Sequence, residues 1–225
     1  MKHSFKLLLI LLLLFLEHRD VNGQGNWVFI ETNQGVTIHS REVAGYAESE
    51  FKGTCIINQP IEVIGAVLED IPSYTRWFLN CIQARKIPDK TSTNLSFLLY
   101  IAVETPWPLW NRDVIYEART RVDIPSGLIM VRGKALQDAS VPIQKNHVRV
   151  TDSALEWVLE RLDDSRTMVS FAKRINIGGS IGSYLSDAGC RKTIFESLLN
   201  LGRIASDPKY AALGKELKGK YGTDY

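Results

Sequence analysis

The run Pro106-Trp107-Pro108-Leu109-Trp110-Asn111-Arg112-Asp113 connects two segments, residues 95–104 and 112–122, that both alternate apolar and polar side chains. Proline fixes φ and lacks a backbone donor, so the connection has to leave a sheet and re-enter it at a defined angle. The indoles are expected to cover that corner. If the two segments are antiparallel neighbours, Glu104 lies opposite Asn111. The pairs Val103/Arg112, Ile101/Val114, Leu99/Tyr116, Phe97/Ala118 and Leu95/Thr120 then follow. One face of this hairpin is apolar apart from Arg112, the Tyr116 hydroxyl and Thr120. The other carries Ser96, Glu104, Asp113, Glu117, Arg119 and Arg121 and is expected to meet solvent. A slip of one residue would exchange the two faces.

The same periodicity organises the rest of the chain. Residues 27–32, 36–42 and 47–57 read as three antiparallel strands, with Asn33-Gln34-Gly35 as a hairpin turn. Pro60 starts a short helix whose apolar positions are Ile61, Val63, Ile64, Val67 and Leu68, closed by Asp70-Ile71-Pro72. Further strands are expected near residues 82–87, 95–104, 112–122, 128–136, 148–162 and 166–177. Ile129, Val131 and Ala135 alternate against Arg132 and Lys134, and Leu155, Trp157 and Leu159 against Glu156 and Glu160. After Gly178-Gly179 the period becomes helical, and Tyr184, Leu185, Ala188, Ile194, Phe195, Leu198, Leu199 and Gly202 share one side of a long helix. Residues 207–225, with Lys209, Lys215, Lys218 and Lys220 among scattered glycines, read as a flexible lysine-rich tail. That tail holds too few apolar residues for a membrane-surface helix.

Lys2 and Lys6 precede the unbroken apolar run 7–16, and Val21-Asn22-Gly23 offers small residues before Gln24. Residues 1–23 therefore read as a secretory signal peptide, cleaved near Gly23, with the protein periplasmic or secreted. The run is too short to cross a bilayer. Removing residues 1–23 takes the formal net charge from +2 to +1, a balance that argues against nucleic acid as a partner. Cys55, Cys81 and Cys190 are too far apart for a zinc ribbon or a dense disulfide framework; one bridge and three buried thiols remain equal alternatives. His39 and His147 have no metal-binding spacing, and no nucleophile elbow or phosphate-binding glycine loop is present. No cofactor is expected. The carboxylates Glu117 and Asp123 fall on the outer face of the hairpin, which leaves little basis for a paired acid/base site.

The segment W-P-L-x-x-R-D, Trp107 to Asp113, resembles the signature of START-type lipid-binding domains, and the order of elements resembles their helix-grip architecture. Asn176-Ile177-Gly178-Gly179-Ser180-Ile181-Gly182 is similar in part to the P-G-G-x-x-P turn that leads into the last helix of relatives, but lacks its prolines. The resemblance implies an α+β fold, a curved antiparallel sheet wrapped around a long C-terminal helix, over residues 24–206, as in a bacterial-type exported member. It further implies a tunnel between sheet and helix, with room provided by Gly182, Ala188, Gly189 and Cys190. A lipid or other hydrophobic small molecule would lie against Phe97, Leu99, Ile101, Arg112, Val114, Tyr116, Ile129, Val131, Trp157, Ser170, Phe195, Leu198 and Leu199. Residues 140–145, with Pro142, are the expected loop at its mouth, and transient membrane contact is a further expectation.

Some sterol-binding relatives carry a second arginine six positions beyond the first; Ala118 stands there in this chain. Arg112 shares the apolar face while Asp113 points the other way, so Arg112 needs a carboxylate elsewhere, solvent, or an anionic ligand group. Covering roughly 400 Å² of apolar ligand is worth on the order of 10 kcal/mol before association costs, so tight binding needs a placed polar contact. Arg112, Tyr116 and Ser170 are the candidates. The expectation is a non-catalytic exported carrier. The alternatives are a helix-grip enzyme, cyclase-like or hydrolase-like, acting on a hydrophobic substrate, and an interaction domain with a filled interior.

Overall fold

The structure, a computed structural model, describes residues 25–89, 92–178 and 181–221. The expected leader with its cleavage position, Gly179 and Ser180 of the second motif, and the last four residues of the tail lie outside the described residues.

Among the described residues ten strands form one sheet: β1 (Val28–Asn33), β2 (Val36–Arg41), β3 (Glu50–Ile57), β4 (Cys81–Ile87), β5 (Ser96–Val103), β6 (Asn111–Asp123), β7 (Leu128–Leu136), β8 (His147–Val150), β9 (Asp152–Asp163) and β10 (Arg166–Asn176). The order across it is β1-β2-β3-β10-β9-β7-β6-β5-β4, with β8 beside β6. Among the described residues it is accompanied by the α-helices α1 (Ile61–Glu69), α2 (Tyr74–Trp77), α3 (Ser183–Ile204) and α4 (Pro208–Tyr221). This is an α+β helix-grip fold, a curved and almost wholly antiparallel sheet holding the long helix α3 against its apolar face.

The β5–β6 register is the one the alternation implies, with Val103 opposite Arg112, Ile101 opposite Val114, Leu99 opposite Tyr116 and Phe97 opposite Ala118. The Thr120 amide continues the ladder by donating to the Leu95 carbonyl at 2.7 Å. The stretch expected as a single strand over 148–162 is two. Residues 147–150 pair with the start of β6 in parallel, and β9 begins at Asp152 between β7 and β10.

The outer face departs from expectation at Asp113, which is buried rather than solvated. Ile87, Tyr100, Ala102, Ile115 and Val141 form a second small core there. The residues that cover it include Val141 and Gln144, whose amide donates to Gln83 at 2.9 Å and to the Tyr100 hydroxyl at 3.0 Å. That part of residues 140–145 therefore caps the convex side of the sheet and does not stand at the mouth of a tunnel.

The expected flexible tail is also corrected. Residues 208–221 form α4, which docks on α1 with Tyr210 and Leu217 buried. Gly214 permits the approach: a Cβ at that position would lie 3.0 Å from the Val63 backbone nitrogen. Lys209 and Lys220 are tied to Asp70 at 2.9 Å and Glu69 at 2.8 Å. Lysines that look solvated in sequence are thus partners of the carboxylates at the C-terminal end of α1.

Candidate functional site

Aromatic residues fill the middle of the concave face. Trp157 and Phe171 stack at 3.8 Å between centroids, Trp77 meets Trp157 edge-on at 5.8 Å, and Phe78 meets Phe171 at 6.0 Å. Helix α3 rests on the sheet at Gly53, where an added Cβ would lie 2.5 Å from Ile194 Cγ2 and 2.6 Å from Leu198 Cδ1. The space between sheet and helix is therefore divided into separate cavities. Alternation reports which way side chains face, but not how much of the space they fill.

On one side of this packing lies a void of about 50 Å³, bounded by Phe97, Leu99, Ile129 and Val131 and covered by Gly65 of α1 and Leu217 of α4. On the other side is a cavity of about 500 Å³ between the loop at residues 104–109, the ends of β6 and β10, and the N-terminal half of α3. Its walls include Phe78, Val103, Arg112, Lys173, Ile175, Ile177, Ala188, Gly189 and Cys190. A recess of about 20 Å³ against Ile101, Val114 and Tyr116 shares Arg112 and Lys173 with it.

Several sequence-selected residues sit elsewhere. Trp157 belongs to the aromatic stack. Leu198 and Leu199 border a different depression of about 280 Å³ with Cys55 and Gly202, and Phe195 packs partly buried on the main core. Ser170 is misassigned: it pairs with Thr54 hydroxyl to hydroxyl at 3.2 Å, while its neighbours Val169 and Phe171 are the buried, core-facing residues. Tyr116 is fully enclosed, its hydroxyl 2.9 Å from that of Ser153, and burial pushes its phenol above the ordinary range. Its one polar atom is already engaged. The three thiols are free; burial pushes Cys55 and Cys81 up to about 11 and Cys190 up to about 12.

Arg112 does enter the cavity wall, 5% exposed. Its Nε donates to the Ile177 carbonyl at 3.1 Å and its Nη1 to the Trp110 carbonyl. Burial lowers its pKa. The backbone thus positions this guanidinium, and among the described residues no carboxylate forms an ion pair with it. Asp113, one residue on, faces the opposite side and takes Arg149 in two hydrogen bonds, 2.7 and 3.0 Å long.

Lys173 is the residue that the sequence reading missed. It is 7% exposed, lies on the cavity wall, and holds its ammonium 5.5 Å from the centre of the Phe78 ring. Burial pushes its pKa down. The signal was present as the period-two row Val169, Phe171, Lys173 and Ile175, which puts a lysine on the core-facing side of β10.

The rim is open and carries exposed apolar side chains. Trp107 is 91% exposed and Leu185 57%, and both border the cavity. The expectation that both indoles cover the loop corner is wrong, since Trp110 is also exposed. The turn closes through its own backbone, with the Leu109 amide on the Pro106 carbonyl and the Thr105 amide on Asn111 Oδ1.

No family model matches the chain. An uncharacterized protein of Pseudomonas aeruginosa is 24% identical over 163 residues, covering 72% of this chain and 78% of its own. Among solved structures, the STAR-related lipid transfer protein (fragment 25-204) from Xanthomonas axonopodis is 25% identical with a TM-score of 0.70, covering 80% of this chain and 98% of that one. Human STARD10 is 17% identical with a TM-score of 0.73, covering 91% and 78%. Human StAR-related lipid transfer protein 5 is 15% identical with a TM-score of 0.68, covering 89% and 94%.

Proposed function

From the START-type helix-grip fold of this chain, we propose that the protein is an exported, non-catalytic carrier that holds a lipid or other hydrophobic small molecule in the cavity of about 500 Å³. That cavity is the observation that carries the reading. Its size lies within the roughly 300–1,000 Å³ of small-molecule sites, and its walls are mostly apolar. The guest enters between the loop at residues 104–109 and α3, because the aromatic packing blocks the other end. The Xanthomonas protein, similar over 80% of this chain, carries lipid transfer in its name, which supports the same class of guest here. Export rests on Lys2, Lys6 and the apolar run that follows them.

Organic extraction of natively purified protein, followed by mass spectrometry, is expected to release a stoichiometric hydrophobic compound. Ala188→Trp, which places an indole at the cavity wall, should cut its recovery about tenfold, equivalent to roughly 1.4 kcal/mol of binding. An empty extract together with no uptake of lipid from vesicles overturns the carrier reading.

The exposed Trp107 and Leu185 at the rim are the surface offered to a bilayer during loading. Trp107→Ser is expected to slow transfer between phosphatidylcholine vesicles several-fold while leaving equilibrium binding within twofold of the unaltered protein. An unchanged transfer rate would remove the membrane-contact role from this loop.

A further inference from the structure

The cavity holds two buried cations and no buried anion. Arg112 and Lys173 both line it, and among the described residues neither forms an ion pair with a carboxylate. Glu50 is paired with Arg41, and Asp187 accepts from the Ser49 amide at 3.1 Å. Asp113 faces the other side of the sheet and is saturated by Arg149 and the Tyr100 hydroxyl. Asp152 is taken by Arg174 at 2.7 Å. Glu104 is exposed to solvent at the rim.

A lysine more than nine-tenths buried against Phe78, with no hydrogen-bond acceptor for its ammonium among the described residues, is unfavourable in a purely structural role. Methionine would fill the same volume without the desolvation penalty. Burial lowers the pKa of both groups, as expected for cations drawn out of water without a carboxylate beside them.

We propose that Arg112 and Lys173 together seat the anionic head of an amphiphile, a carboxylate or phosphate monoester, whose apolar tail occupies the rest of the cavity. This inference rests on the carrier reading and specifies its ligand class. Two backbone carbonyls fix Nε and Nη1 of Arg112, which orients the guanidinium plane and leaves Nη2 for the ligand. The Lys173 ammonium supplies up to three further donors as a point charge. A neutral guest would leave both cations uncompensated in an apolar site. An anionic one converts that cost into charge-assisted hydrogen bonds away from bulk water. Because the acceptor is the ligand itself, the site discriminates by head group and tolerates variation in the tail.

The test uses the full chain, delipidated, with laurate, lauryl phosphate and lauryl alcohol as probes that share one tail, titrated by calorimetry. Laurate or lauryl phosphate should bind about tenfold or more tightly than the alcohol. In Lys173→Met that preference should collapse to within about threefold while the alcohol binds as before, and Lys173→Arg should restore it. The empty Lys173→Met protein should melt at a higher temperature than the unaltered one, a gain that a structural lysine would not produce. Equal binding of acid and alcohol by the unaltered protein overturns the anionic seat and leaves the carrier reading standing. Failure of all three probes overturns the carrier reading and this inference with it. Displacement of laurate by inorganic phosphate at comparable concentration makes the site one for a free anion and overturns the amphiphile assignment.

Discussion

Asp113→Ala is expected to destabilise the protein by about 3–5 kcal/mol, the usual cost of leaving one half of a buried ion pair behind. The Arg149 side chain is 7% exposed and that of Asp113 fully enclosed, so no water replaces the lost carboxylate. Arg149 Nη2 keeps only the Val141 carbonyl, at 3.3 Å, and the Tyr100 hydroxyl loses the Asp113 oxygen it donates to at 3.0 Å. With total stabilities of about 5–15 kcal/mol, the loss would bring the protein close to unfolding at ordinary temperatures. Urea denaturation measures it. Replacing both partners, Asp113→Leu with Arg149→Met, should recover most of the loss, because an apolar pair removes the stranded charge. A single substitution costing under about 1 kcal/mol would show that the ion pair does not hold this face together.

Gly53→Leu should cost about 3 kcal/mol, and Gly53→Ala about 1, because α3 is seated directly on that residue. A Cβ there would stand 2.5 Å from Ile194 Cγ2, 2.6 Å from Leu198 Cδ1 and 3.2 Å from Ile38 Cδ1. These are the ends of flexible side chains, so a single methyl can be accommodated by rotamer shifts. A leucine side chain has no such outlet: Ile194 and Leu198 are already buried between helix and strand, and the helix must lift. Thermal unfolding of the two variants measures the series. Equal stability of Gly53→Leu and the unaltered protein would mean that α3 is not seated on β3 as described.

Much of the architecture was legible because it depends on neighbours in the chain. The β5–β6 register followed from two alternations separated by a proline-rich connection, and it placed Arg112 inside and Asp113 outside without further information. The α1 and α3 helices were marked by period and by Pro60 and Gly178. The errors have a common cause. Ser170 was selected although Val169, Phe171, Lys173 and Ile175 form the inward row, because buried Ala172 and Arg174 on the other side blur the contrast that the reading relied on. Residues 208–221 looked unstructured because a glycine that admits a neighbouring helix and one in a loose tail are the same letter. Trp157 was placed on the tunnel wall because its facing was known and the stacking of Phe171 on it was not.

Strand direction, side-chain facing and the opposed placement of Arg112 and Asp113 are consequences of backbone sterics and period-two geometry, and the amino-acid order determined them unaided. The location of the cavity, the company of Lys173, the exposure of Trp107 and the burial of Asp113 were decided only by the tertiary structure. Volume and charge compensation are set by groups distant along the chain: the acceptor for Arg112 Nε lies 65 residues away and the partner of Asp113 lies 36 away. No local rule reaches that far.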